Sequence, residues 1–209
     1  GDIGGFGNTA QIHTVGYSTF TYFLYEANYD LDGKPIENQF TDFNNDSIVN
    51  IDDRVRTGNP NPKWFFGLNM NLEHKSWYTG FSMRAELGGY VYNNVAAQSG
   101  NLQSGNSTFN SGNIHSSFLE TGFEGKSFEQ SVNSYYLEKS DFLRMDYFTL
   151  GYNFGNQLSD KFRMNAALVI NNVFVMSNYS GMDPEVVGGI DNTIYPRPRI
   201  FSLNLTFDF

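Results

Sequence analysis

Five long stretches of this sequence alternate apolar and polar residues with a period of two, and that alternation restricts the fold more than any other feature. In "WFFGLNMNL", Trp64, Phe66, Leu68, Met70 and Leu72 fall on one face, and Phe65, Gly67, Asn69 and Asn71 on the other. Successive side chains of a strand point to opposite sides of the sheet, so each run reads as a two-faced β-strand. In "WYTGFSMRAELGG" the same pattern sets Trp77, Phe81, Met83, Ala85 and Leu87 against Tyr78, Ser82, Arg84 and Glu86. The polar link "EHKS" between these runs is short enough for an antiparallel hairpin.

Three more runs repeat the pattern. Phe148, Leu150, Tyr152 and Phe154 oppose Tyr147, Thr149, Gly151 and Asn153. Phe162, Met164, Ala166, Leu168 and Ile170 oppose Arg163, Asn165, Ala167, Val169 and Asn171. Phe201, Leu203, Leu205, Phe207 and Phe209 oppose Ser202, Asn204, Thr206 and Asp208. With the aromatic run "STFTYFLYEANY" counted as another strand, the pattern predicts about six strands and no amphipathic helix.

The links between strands alternate in length: long (residues 30–63), short (73–76), long (93–141), short (155–161) and long (177–197). Long structureless loops are uncommon in compact soluble domains. A transmembrane β-barrel has this asymmetry by construction, with short periplasmic turns and long extracellular loops. Trp64 and Trp77, at the starts of adjoining strands, suit an interfacial aromatic girdle. Arg84, Glu86, Arg163 and several Asn on the opposite face suit a wet lumen. Six strands are too few to close a barrel, for which about eight is the minimum.

Composition closes off several functions. Aromatics make up 17% of the chain, with 20 Phe and 13 Tyr, while mean hydropathy is only −0.41. A formal net charge of −9 and the lack of a Lys/Arg cluster speak against a nucleic-acid partner. With no Cys there is no disulfide, thiolate metal site or Cys nucleophile. No apolar run reaches the ~20 residues of a membrane helix. "GDIGGFGNTA" lacks the basic start and apolar core of a signal peptide, so the chain reads as a mature protein or a piece of a longer one.

The segments "YDLDGKP", "FTDFNNDSIVNIDDRVRTGNPNPKWFFGLN", "SDFLRMDYFTLGYNF", "INNVFVMSNYSGMDPEV" and "GGIDNTIYPRPRIFSLNLTFDF" occur in that order. Together they resemble the C-terminal part of SusC/RagA-type TonB-dependent outer-membrane receptors, from about Tyr29 to Phe209. The resemblance implies an all-β fold, with residues 1–209 forming antiparallel transmembrane strands at the C-terminal end of a barrel of about 22 strands. The plug domain and the earlier strands would lie outside this chain. It further implies multi-pass insertion in the outer membrane of a Gram-negative bacterium, in contact with its lipid. It implies as well a SusD-like surface lipoprotein partner, the TonB complex as energy source, and an oligosaccharide or peptide substrate. The alternating last strand ending in Phe209 resembles the signal read by the barrel assembly machinery.

One motif carries metal chemistry of its own. In "DFNNDSIVNIDD" a twelve-residue calcium loop would take ligands at positions 1, 3, 5, 7, 9 and 12. Those are Asp42, Asn44, Asp46, the Ile48 carbonyl, Asn50 and Asp53, with calcium as the candidate cofactor. Ser47 replaces the usual Gly at position six, where positive φ is needed, and Asp53 replaces a bidentate Glu. The competing reading is an Asx-rich turn that satisfies its own backbone.

Nothing suggests an enzyme. His13, His74 and His115 lie far apart, without an HExxH or GxSxG pattern. Arg84 and Glu86 read as a lumen ion pair bracing the wall. Acids of "MDPEVVGG", with Tyr195, Arg197 and Arg199, would belong to the last extracellular loop. Two other architectures fit the alternation: a small complete outer-membrane barrel acting as an adhesin or structural protein, and a secreted calcium-dependent β-sandwich that binds carbohydrate.

Overall fold

The computed structural model describes residues 2–3, 9–105, 113–156, 161–193 and 195–209. The chain divides into a sheet unit (62–87, 141–178 and 196–209) and a loop unit (1–61, 88–140 and 179–195).

The sheet unit is one five-stranded sheet formed by β1 (Trp64–His74), β2 (Trp77–Leu87), β3 (Phe142–Gly155), β4 (Arg163–Ser177) and β5 (Ile200–Asp208). Neighbours in sequence are neighbours in space, and every pairing is antiparallel, so the strands make an up-and-down meander. The β1–β2 hairpin pairs His74 with Trp77 around a two-residue turn, with Lys75 at φ 56°. Of the short link after β3, residues 157–160 lie outside the described residues.

The pairing confirms the two faces read from the sequence. Leu68 stands opposite Met83, Met70 opposite Phe81, Phe148 opposite Phe81, Leu150 opposite Leu168, and Leu168 opposite Leu203. This apolar face is open: Trp64 is 65% exposed, Leu68 49% and Leu203 68%. Trp64 and Trp77, although at the starts of adjoining strands, mark opposite rims, because Trp64 pairs with Leu87 and Trp77 with His74. Ten residue steps between them, at about 3.3 Å each and tilted about 40°, span roughly 25 Å. At the short-turn rim Trp77 meets Tyr152 edge-on at 4.8 Å, and Tyr152 meets Phe154 at 4.7 Å. Phe162 packs on Phe207 at 5.7 Å.

Two sequence expectations need correction. "STFTYFLYEANY" is not a sixth long strand: it breaks into Thr21–Leu24 and Ala27–Tyr29, which join different small sheets. The long connections are not structureless either. Among the described residues they hold short strands and three short α-helices, Asn94–Ser99, Leu102–Gly105 and Phe118–Thr121. Tertiary pairing overrides a pattern too brief to be read locally: Thr21–Leu24 pairs with Gln11–Ile12 and Val55–Thr57, and Tyr90–Asn93 lies between Leu137–Lys139 and Ile190–Asp191.

The loop unit has its own aromatic core, built on Tyr22, Leu24, Tyr25, Phe40, Tyr92, Phe123, Val132 and Tyr136. Buried tyrosines need a partner for the hydroxyl. Tyr22 donates to the carbonyls of Tyr90 (2.9 Å) and Gly189 (2.8 Å), and Tyr92 to that of Ser131 (2.8 Å). The buried Arg54 lies over the Phe23 ring at 4.4 Å and donates from Nε to the Phe23 carbonyl at 2.9 Å. All the long strands belong to one sheet rather than two stacked ones, which is not the arrangement of a sandwich. Among the described residues nothing pairs with the outer edges of β1 and β5, so they do not close a small barrel.

Candidate functional site

The Asp42–Asp53 loop folds around its own acids. The Asp42 carboxylate accepts from the backbone N–H of Asn45 (2.7 Å) and Ser47 (2.8 Å). Asp46 accepts from Ile48 N–H (2.8 Å) and from the Asn44 side-chain amide (3.0 Å), and Asn44 Oδ1 accepts from Asp46 N–H (2.9 Å). Asn50 caps a short 3₁₀ turn through Asp52 N–H (2.8 Å). Asp53 is buried and accepts from Phe43 N–H (2.9 Å) and Asn50 N–H (2.9 Å). The Asn50 backbone bond, foremost among these contacts, holds the Asp53 carboxyl below the usual carboxylate range. Ser47 adopts φ 66°, so the positive φ usually met by Gly is reached here by Ser.

The polar face of the sheet carries a second cluster. Arg84 and Arg144 stand directly opposite each other, a like-charge pair that costs stability unless it is compensated. Compensation comes from a bulge. Asp146 is an extra residue between Met145 and Tyr147, and Arg84 Nε donates to its carboxylate at 3.0 Å. Glu86 lies 3.7 Å from Arg84, as the sequence suggested. The Phe142 ring has both guanidinium carbons 5.5 Å from its centroid. On β4, Asn172 accepts from Arg144 (3.1 Å) and donates to the carbonyls of Arg197 (3.0 Å) and Pro198 (3.3 Å). Arg199 Nε donates to the Asn172 carbonyl at 3.3 Å. The Arg197/Arg199 segment is thereby fastened to the sheet.

Sequence reading missed a cleft of about 360 Å³ inside the loop unit. Three distant segments build it. Asn93 comes from the end of a short strand, His115 and Ser116 from the middle connection, and Ser180 to Thr193 from the last one. Asn93 donates to Glu138 (3.1 Å) and Ser180 (3.0 Å) and accepts from Ala96 N–H (3.0 Å). The Tyr179 hydroxyl donates to Asp191 at 2.6 Å. Burial, reinforced by that carboxylate, pushes the Tyr179 phenol far up, so it stays a donor. Burial also lowers the His115 imidazole. No local motif announces the cleft, because its residues are up to 100 positions apart in the chain.

His74 pairs with Trp77 beside the hairpin turn, whereas His115 lies in the cleft. Among the described residues, no group of three or more His, Cys, Asp or Glu is arranged to hold a metal, and no helix is long and apolar enough to cross a membrane.

No family model matches the chain. It is 32% identical over 205 residues to the TonB-dependent receptor SusC of Bacteroides thetaiotaomicron, covering 95% of this chain and 20% of that protein. To the TonB-dependent receptor P3 of Formosa agariphila it is 24% identical over 195 residues, covering 85% of this chain and 19% of that one. Among solved structures, the RagAB peptide importer in its open-open state superposes with a TM-score of 0.71 at 19% identity, over 98% of this chain and 24% of the other. The chain thus spans about a fifth of the length of the curated relatives it matches, and those relatives are named as receptors rather than enzymes. A shared sequence over nearly its whole length and a shared strand arrangement make this chain a β-barrel segment of the SusC/RagA-type TonB-dependent receptors.

Proposed function

We propose that this chain is a length of barrel wall, with its extracellular loops, from an outer-membrane receptor that imports oligosaccharides or peptides. TonB supplies the energy, and a SusD-like lipoprotein captures ligand at the surface. The observation that carries the reading is the five-strand meander with one open apolar face about 25 Å tall, the height of a barrel's lipid-facing band. The opposite face, with Arg84, Asp146, Glu86 and Asn165, suits a wet interior. The folded loop unit supports a ligand-facing role, since binding residues concentrate on connections held by a rigid scaffold.

Deleting the gene for the natural protein tests this. Growth on one polymer, glycan or peptide, should be lost, and uptake by wild-type cells should stop when the proton gradient is collapsed. Undiminished growth on every polymer that the wild type consumes would sink the reading.

We also infer that the Asp42–Asp53 loop takes calcium, which stiffens it. Its donors are all oxygen, as calcium prefers. Each carboxylate offers about four lone-pair sites, so accepting one or two backbone N–H groups leaves room for an ion. After chelation and dialysis against millimolar calcium, elemental analysis should find a bound ion that is reduced or lost in Asp53→Asn. A calcium-free wild-type protein under those conditions ends the idea.

A further inference from the structure

We propose that the cleft lined by Asn93, Val95, Met182, Asp191 and Thr193 is a pocket for the cationic side chain of a peptide ligand, a lysyl ammonium or an arginyl guanidinium. This rests on the reading of the chain as part of a receptor for extracellular ligands and narrows the ligand class.

The volume, about 360 Å³, is at the low end for ligand pockets and suits one long side chain. Asn93 and Asp191, each 1% exposed, form its floor. Among the described residues, the Asp191 carboxylate accepts from Tyr179 Oη (2.6 Å) and Thr193 N–H (2.7 Å), half of its acceptor capacity. Among the described residues no Lys or Arg pairs with it. A buried charge without a counter-charge is costly, and a cation entering the cleft removes that cost.

The walls fit the rest of such a side chain. Val95 is half-buried and Met182 is 54% exposed, giving an alkyl stem apolar surface to lie along. Both Asn93 amide N–H groups are engaged, by Glu138 and Ser180, and its oxygen already accepts from Ala96 N–H, so the Asp191 carboxylate is the strongest acceptor offered to a ligand. Among the described residues, the one aromatic ring lining the cleft is that of His115, whereas a sugar ring needs a broad face to stack on.

The surroundings reinforce the preference. The loop unit holds five Lys/Arg against 16 Asp/Glu, a formal charge of −11, while the sheet unit holds eight against six, or +2. A field of one sign steers oppositely charged ligands and repels like ones.

The test uses the natural full-length protein in detergent and calorimetric titration with two capped peptides, acetyl-Ala-Lys-Ala-amide and its Gln counterpart. The Lys peptide should bind roughly tenfold more tightly or better, and Asp191→Asn should bring the pair to near parity. Met182→Arg, at an exposed position, places a tethered guanidinium at the pocket and should abolish the Lys preference without altering Asp191; it decides the matter if Asp191→Asn does not fold. Equal affinities in the wild type, or a preference that survives both substitutions, overturn the proposal. Binding is read without TonB or transport, so failure here leaves the import reading standing, and failure of import leaves this result interpretable.

Discussion

Leu68→Arg is expected to destabilise the bilayer-inserted protein by about 2–4 kcal/mol, the cost of a cation near the membrane midplane of a barrel. Leu68 sits mid-height on the apolar face, opposite Met83 and 49% exposed. Its neighbour Asn69 faces the other way, opposite Ser82, so Asn69→Arg should cost less than about 1 kcal/mol. The pair differs by one position in sequence and by the whole lipid boundary in space. Urea titration of the natural protein refolded into liposomes measures both, with the fluorescence of Trp64 and Trp77, at opposite rims of the sheet, reporting on the band. If Asn69→Arg proves as damaging as Leu68→Arg, the two faces have been assigned wrongly.

Gly151→Val should cost about 2–4 kcal/mol, for a reason peculiar to the polar face. Gly151 on β3 pairs with Tyr78 on β2 and Ala167 on β4. The outer end of the Tyr78 ring lies so close to Gly151 that any Cβ there would run into it. Crossing β3 in this way, Tyr78 donates its hydroxyl to Asn165 on β4 at 2.7 Å. A Val side chain evicts the ring, adding an overpacking cost of about 1–3 kcal/mol to a lost hydrogen bond worth about 1 kcal/mol. A Tyr78→Ala background separates the two contributions. There the Val substitution should cost at least about 1 kcal/mol less, a coupling read by a double-mutant cycle. Strict additivity would show that ring and glycine do not act as a unit.

The sheet was legible in the sequence because its information is local. Trp64 to Leu72 carry their two faces in adjacent letters, and a one-residue slip would turn every apolar side chain to the wrong side. Antiparallel order followed from the short link at Lys75 and Ser76. Even the Arg84–Glu86 ion pair could be anticipated, since residues two apart share a face. The partner that does more for Arg84, Asp146, could not. Its position depends on a bulge, and one extra residue in β3 is visible only against the strands beside it.

The loop unit was illegible for the converse reason. Thr21–Leu24, Val55–Thr57, Tyr90–Asn93 and Ile190–Asp191 are two to four residues long, too short for periodicity to speak, and they are paired by partners far away in the chain. The same holds for the cleft, where Asn93, His115 and Asp191 meet only because the short strands bring distant parts of two connections together. The Asp42–Asp53 loop stands between these cases. Its candidate calcium ligands were countable from spacing, whereas the structure shows their side chains accepting the loop's own backbone N–H groups, with Ser47 at a positive φ.

By itself, then, the sequence determined a two-faced antiparallel β-sheet of membrane-crossing length, because strand alternation and hairpin links are short-range properties of the chain. Tertiary structure alone decided that the long connections fold around an aromatic core and bury Asp191 beside an open cleft, because the burial and pairing of a side chain are set by neighbours that no local stretch of sequence contains.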